Sequence, residues 1–102
     1  VSLMIEKTLG KMEEYNEEKL YGSILKAFNK RWVSVKIIDN VMFHIEQKLV
    51  NKRKITSREI WEYVLEELKK IDEVAYIRYA SVYYDFQNGN DYVTFIKKEF
   101  PQ

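Results

Sequence analysis

Cysteine is absent from the 102 residues. That absence removes disulfide frameworks, thiolate zinc sites and cysteine nucleophiles together. It leaves the cytoplasm as the expected location. Histidine occurs once, so a Ser-His-Asp site would have to use His44. His44 sits in Val41-Met42-Phe43-His44-Ile45, inside a helical pattern, and reads as a surface or core-edge helix position, not as a base or ligand. The three glycines, Gly10, Gly22 and Gly89, lie far apart, so neither a dinucleotide loop nor a P-loop can be written. No apolar run approaches the ~18 residues of a membrane span, and no secretory leader is expected at the start. Excess charge of one sign is also missing. With 17 Lys+Arg against 16 Asp+Glu, the net +1 gives no strong pull toward nucleic acid or acidic lipid. Carboxylates occur in adjacent pairs such as Glu13-Glu14, Glu17-Glu18 and Glu66-Glu67, which read as solvated faces, not acid/base dyads.

What is present indicates one soluble globular domain, for which 46% apolar residues suffice to build a core without staples. Residues 3–15 read as a β-hairpin turning at Leu9-Gly10. Asn16 reads as an N-cap, with Glu17 and Glu18 in a first turn where the helix dipole favours acid. Leu20, Ile24, Ala27 and Phe28 follow at helical spacing, and Lys30-Arg31 close that helix. Ser34 is a second N-cap candidate, leading to Ile37, Ile38, Val41, Ile45 and Leu49 on an amphipathic helix.

Asn51-Lys52-Arg53-Lys54 reads as a polar connection. Thr56 with Glu59 forms a capping box for a third helix carrying Ile60, Val64 and Leu68. Asp72 caps a fourth, with Ala75, Tyr76, Tyr79, Ala80, Tyr83 and Phe86 on its apolar side and Asn88-Gly89-Asn90 as its end. Residues 91–99 can add a short helix. The class is therefore α+β, mostly α, a hairpin followed by four helices. Four of the eight tyrosines stand at 76, 79, 83 and 84. They read first as amphipathic rings packed on the core with hydroxyls reaching water, and second as a partner surface or base-stacking wall.

Three segments resemble the ATP-cone family, which occurs at the N-terminus of many ribonucleotide reductases and in the C-terminal part of the NrdR repressors. Similarity to the NrdR version is the greater. Ile55-Thr56-Ser57-Arg58-Glu59-Ile60 with Val64-Leu65-Glu66-Glu67-Leu68 resembles its third-helix signature. The run from Asp72 to Tyr83, with Phe86, resembles its last-helix signature. The family's N-terminal motif, V-x-K-R-x-G-x-x-E-x-[FY]-[DN]-x-x-K-[IL], falls without gaps on Ile5, Lys7, Gly10, Glu13, Tyr15, Asn16, Lys19 and Leu20.

The resemblance implies an ATP-cone domain over residues 3–98, in which an N-terminal β-hairpin forms a lid over a four-helix bundle and closes on ATP or dATP. Carried over residue by residue, Lys7 and Lys19 contact phosphate, and Glu13 and Asn16 help define the pocket. The Thr56-Ser57 turn offers hydroxyl and backbone N–H groups at a helix N-terminus. Amines and helix N-termini can hold phosphate without a glycine loop, and Mg²⁺ can accompany the triphosphate through its own oxygens. Each position also has a structural reading: Asn16, Thr56 and Ser57 as capping residues, Glu13 as a cross-strand charge partner, and the lysines as surface cations.

The chain departs from the family pattern at several cations. The hairpin Lys-Arg pair is Lys7-Thr8, the acidic residue before the turn glycine is Leu9, and two basic positions at the last helix are Tyr84 and Gln87. Without the four-cysteine ribbon of NrdR, an excised or stand-alone cone is implied, with no sequence-specific DNA binding by this chain alone. The expected function is a non-catalytic regulatory module that couples ATP or dATP binding to self-association or partner docking. The alternative is a degenerate cone acting only in protein interaction. A helical DNA binder using Lys52-Arg53-Lys54 lacks the wider basic stripe it would need.

Overall fold

The computed structural model describes residues 2–102. Strand β1 (Met4–Glu6) and strand β2 (Met12–Glu14) pair antiparallel with Ile5 opposite Glu13, around a single 3₁₀ turn at Thr8–Gly10. This is the expected hairpin. Its tip places Leu9 and Gly10 at φ of 73° and 81°, which glycine adopts freely and a leucine adopts only under strain. Leu9 projects fully into solvent from that tip.

Five helices follow, one more than the four-helix reading. They are α1 (Glu17–Ala27), α2 (Val35–Leu49), α3 (Ser57–Ile71), α4 (Glu73–Tyr83) and α5 (Gly89–Glu99). The caps are local and lie where the sequence places them. Asn16, Ser34 and Asp72 each accept backbone N–H bonds from the first turn of their helix. Thr56 and Glu59 form the reciprocal capping box of α3, a feature of about 1 kcal/mol.

The end of α4 differs from expectation. That helix stops at Tyr83, and Asp85 takes a φ of 55° two residues later. Asn88 does not end α4 but starts α5, its side chain accepting from the Asp91 N–H. Asn and Gly serve both as stops and as starts, so the local signal could be read either way.

A third strand, β3 (Lys54–Thr56), lies where the sequence reads as the end of a polar connection, at Lys54, and the lead-in to the third helix, at Ile55-Thr56. It pairs parallel with β1, Ile5 opposite Ile55 and Glu6 opposite Thr56, giving the sheet order β2-β1-β3. Three residues with one buried side chain carry no periodicity that could announce a strand. The pairing matters for the site because it draws the N-terminus of α3 alongside the end of β1.

The core lies between α1, α2, α3 and α4. Ile24, Val41, Ile38, Ile45, Val64 and Leu68 are its largest fully buried side chains. Each contributes about 1.5–3 kcal/mol relative to exposure. Ala75 and Ala80 are fully buried on α4, where that helix packs on α3 and α1. Ile37, read as core-facing, is instead exposed at the edge of α2. Helix α5 buries no residue and docks through rings: Tyr76 packs on Phe95 and Phe100, with centroids 5.5 and 5.8 Å apart. Tyr76 also donates to Glu99 on α5 at 2.9 Å. His44 stays at the protein edge, its Nδ1 2.9 Å from Glu67 Oε1 on α3.

Candidate functional site

A cleft of about 520 Å³ opens between the hairpin, α1, the start of α3 and α4. Each wall has a local origin. Residues alternate faces along a strand, so Lys7, the residue just beyond β1, continues the Ile5 face that looks into the cleft. Glu13 reaches the same face from β2 through its register with Ile5. Asn16 and Lys19 come from the capped first turn of α1, and Ser57 from the capped start of α3.

Five of the six residues singled out in the sequence therefore meet in one cleft: Lys7, Glu13, Asn16, Lys19 and Ser57. Thr56 is not on its wall. The Thr56 hydroxyl accepts from the Glu59 N–H at 3.1 Å and donates to Glu59 Oε1 at 2.9 Å.

The charge arrangement is specific. Glu13 Oε1 lies 2.6 Å from Lys19 Nζ, and Glu13 Oε2 lies 3.3 Å from Lys7 Nζ. Hydrogen bonds from Lys19 and then Lys7 hold the Glu13 carboxyl below its ordinary value, and the same contact with Glu13 raises Lys19. Two ammonium groups thus share one carboxylate and leave a net positive corner. The Asn16 side chain is used by its own helix, accepting from the Lys19 N–H at 3.1 Å.

Other residues of the cleft carry no motif signal. Arg78 on α4 lines it and donates through Nη1 to the carbonyls of Asn29 at 2.6 Å and Ala27 at 3.3 Å. These bonds brace the guanidinium against the C-terminal end of α1. Lys26 adds another cation. One part of the lining is an aromatic wall: Trp61 lies 4.8 Å from Tyr83, and Tyr83 stacks on Tyr79. Tyr79 and Tyr83 stand one turn apart on α4, so their shared face was legible, whereas Trp61 on α3 joins them only through helix packing. Burial raises the Tyr79 phenol far above its ordinary value, so the ring enters the wall neutral.

The cleft thus brings cations, a helix N-terminus and flat rings into one lining. That pairing suits a ligand with an anionic end and an aromatic end. Among the described residues no group of three His, Asp or Glu is placed to hold a metal ion, and no helix is long and apolar enough to cross a membrane.

Comparison with known proteins agrees with this geometry. The family profile of the ATP cone domain matches residues 3–89, a span that contains every wall of the cleft and leaves α5 almost wholly outside. The transcriptional repressor NrdR of Caldanaerobacter subterraneus subsp. tengcongensis is 41% identical over 98 residues, covering 94% of this chain and 62% of that repressor. The NrdR repressor of Acidovorax sp. is 47% identical over 90 residues, covering 86% of this chain and 60% of the repressor. That of Kosmotoga olearia is 39% identical over 98 residues. The chain spans about three-fifths of the length of these relatives. With the motif residues gathered in one cleft and the profile covering hairpin and helices alike, the chain belongs to the ATP-cone domain family.

Proposed function

We propose that this chain is a non-catalytic regulatory module that binds ATP or dATP in the cleft beneath the hairpin. Nucleotide binding would bias its self-association, or its docking on a partner, through different affinities for two assembly states. The observation that carries the reading is the meeting of Lys7 and Lys19 with the Trp61–Tyr83–Tyr79 wall in one open cleft.

Lys7 and Lys19 take the phosphates, aided by the Thr56-Ser57 turn, where Ser57 faces the cleft and Thr56 caps the helix. Glu13 and Asn16 shape the pocket. The aromatic wall receives the base by stacking. Mg²⁺ enters with the triphosphate on the nucleotide's own oxygens. The motif positions no residue as a base, and in this reading the nucleotide acts as a signal and is not turned over. In a longer protein of the NrdR type, which its name describes as a transcriptional repressor, such a module would report nucleotide supply to control of ribonucleotide reductase genes.

A second reading is a degenerate cone that serves only protein interaction. Thr8 favours it, since a threonine stands where the family's hairpin arginine would meet phosphate. Calorimetric titration with ATP and dATP in Mg²⁺, with size-exclusion runs in parallel, separates the two. Micromolar binding with a shift in assembly is expected. No heat up to millimolar nucleotide, from a folded sample, would leave the interaction module.

A further inference from the structure

We propose that Glu13 is an internal anion, holding Lys7 and Lys19 in the ligand-free protein until the phosphates of a nucleotide displace it. The proposal rests on the nucleotide reading above and gives that site its affinity control.

The geometry is that of one acceptor serving two donors. Each Glu13 oxygen meets a different ammonium, at 2.6 Å for Lys19 and 3.3 Å for Lys7. A phosphate group presents the same chemistry, several charge-bearing oxygens within reach of two cations. Lys7 comes from the residue that follows β1 and Lys19 from the first turn of α1, so no single element holds them together. The Glu13 carboxylate is what bridges them. It lies beside the phosphate-binding corner on the cleft wall, and it remains charged because both lysines favour its ionised form.

The bridge is also displaceable. Side-chain exposure is 36% for Lys7, 62% for Lys19 and 32% for Glu13, so water screens each pair and neither ion is trapped. An incoming polyphosphate exchanges a weak partner for a stronger one. The Glu13 carboxylate then turns to solvent or to another part of the ligand. Every anion that uses both lysines must overcome this competition, whereas a ligand without phosphate does not meet it.

Glu18 provides the control. It lines the same cleft and pairs with neither lysine. Glu13→Gln and Glu18→Gln remove the same charge from the same cleft, but only the first releases the two ammonium groups. The test is calorimetric titration of the parent chain and both variants with ATP, inorganic tripolyphosphate and adenosine, after circular dichroism has shown each to be folded. Glu13→Ala is a second variant that removes the bridge without an amide in its place.

The expected result is about three- to tenfold tighter ATP and tripolyphosphate binding in Glu13→Gln, with adenosine unchanged and a markedly smaller gain in Glu18→Gln. Equal gains in both variants would reduce the effect to general charge and overturn the proposal. Weaker tripolyphosphate binding in Glu13→Gln and Glu13→Ala would overturn it as well, by making Glu13 a supporting contact. If ATP and tripolyphosphate bind to none of the folded proteins, the nucleotide reading itself fails and takes the proposal with it. ATP binding to the parent with no gain in the Glu13 variants sinks the proposal alone.

Discussion

Tyr83 stacks on Tyr79 with ring centroids 4.4 Å apart and planes inclined by 28°. The pair forms the aromatic wall of the cleft with Trp61, whose ring lies 4.8 Å from Tyr83. A purine entering there changes the surroundings of the Trp61 indole. The other tryptophan, Trp32, is fully exposed and would mask the signal. A Trp32→Phe protein is therefore expected to change its fluorescence on saturation with ATP, and the additional Trp61→Phe change should abolish that response. An unchanged spectrum at saturating ATP would place the base elsewhere.

The proposed phosphate corner makes a different demand. Lys7→Ala and Lys19→Ala should each weaken ATP binding by about tenfold, the scale of one charge-assisted hydrogen bond. Binding of adenosine should not change. Thr8→Arg restores a guanidinium to the hairpin and should tighten ATP. Titration calorimetry with the three variants gives these ratios directly, and equal loss of ATP and adenosine affinity would show that the lysines act through folding.

Thr56 separates capping from binding. Its hydroxyl is engaged with Glu59 and lies off the cleft wall. Thr56→Ala should cost about 1 kcal/mol in urea unfolding through loss of the capping box, while leaving ATP affinity within twofold or so. Ser57→Ala reports the converse, because Ser57 lines the cleft. A large affinity loss in Thr56→Ala alone would return that hydroxyl to the site.

Acid should unfold the protein through identifiable pairs. Arg31 Nε donates to Asp72 Oδ2 at 2.9 Å and holds that carboxyl below its ordinary 3.8. Bonds from Tyr76 and Lys69 do the same for Glu99, below 4.5, and the Thr56 hydroxyl and N–H do so for Glu59. Burial pulls Glu67 the other way, but His44 and Lys70 outweigh it and its value is also lowered. A carboxyl lowered in the folded state gives stability that is complete above its unfolded value and is lost as pH falls through the folded one. Glu46, raised by burial and by the neighbouring Glu17 carboxyl, has the opposite sign, and it stands alone against these four. Urea midpoints should therefore be flat from pH 7 to about 5 and fall below about 4.5. Asp72→Asn should flatten that fall.

The core tolerates little. Leu68 is fully buried on α3, a helix that packs on both α2 and α4. Leu68→Ala should destabilise by about 2–5 kcal/mol, the usual cost of removing a buried leucine and leaving its cavity. A loss near zero would mean that the helices close around the gap.

The sequence by itself determined the helices and most of their limits, because caps and apolar spacing are local chemistry. Asn16, Ser34, Thr56 with Glu59, and Asp72 each act within three residues of their partners, and each caps as its position suggests. The resemblance to the ATP-cone motif, rather than spacing, grouped Lys7, Glu13, Asn16 and Lys19, and all four line one cleft. The tertiary structure decided what local chemistry leaves open. Asn88 could stop one helix or start another, and the packing of Phe95 and Phe100 on Tyr76 accompanies the start of α5. Strand β3 exists only because β1 runs beside it, and that parallel pairing brings Ser57 to the cleft. Arg78 and Trp61 enter the site through the packing of α4 and α3, a relation between segments far apart in the chain that no spacing rule encodes.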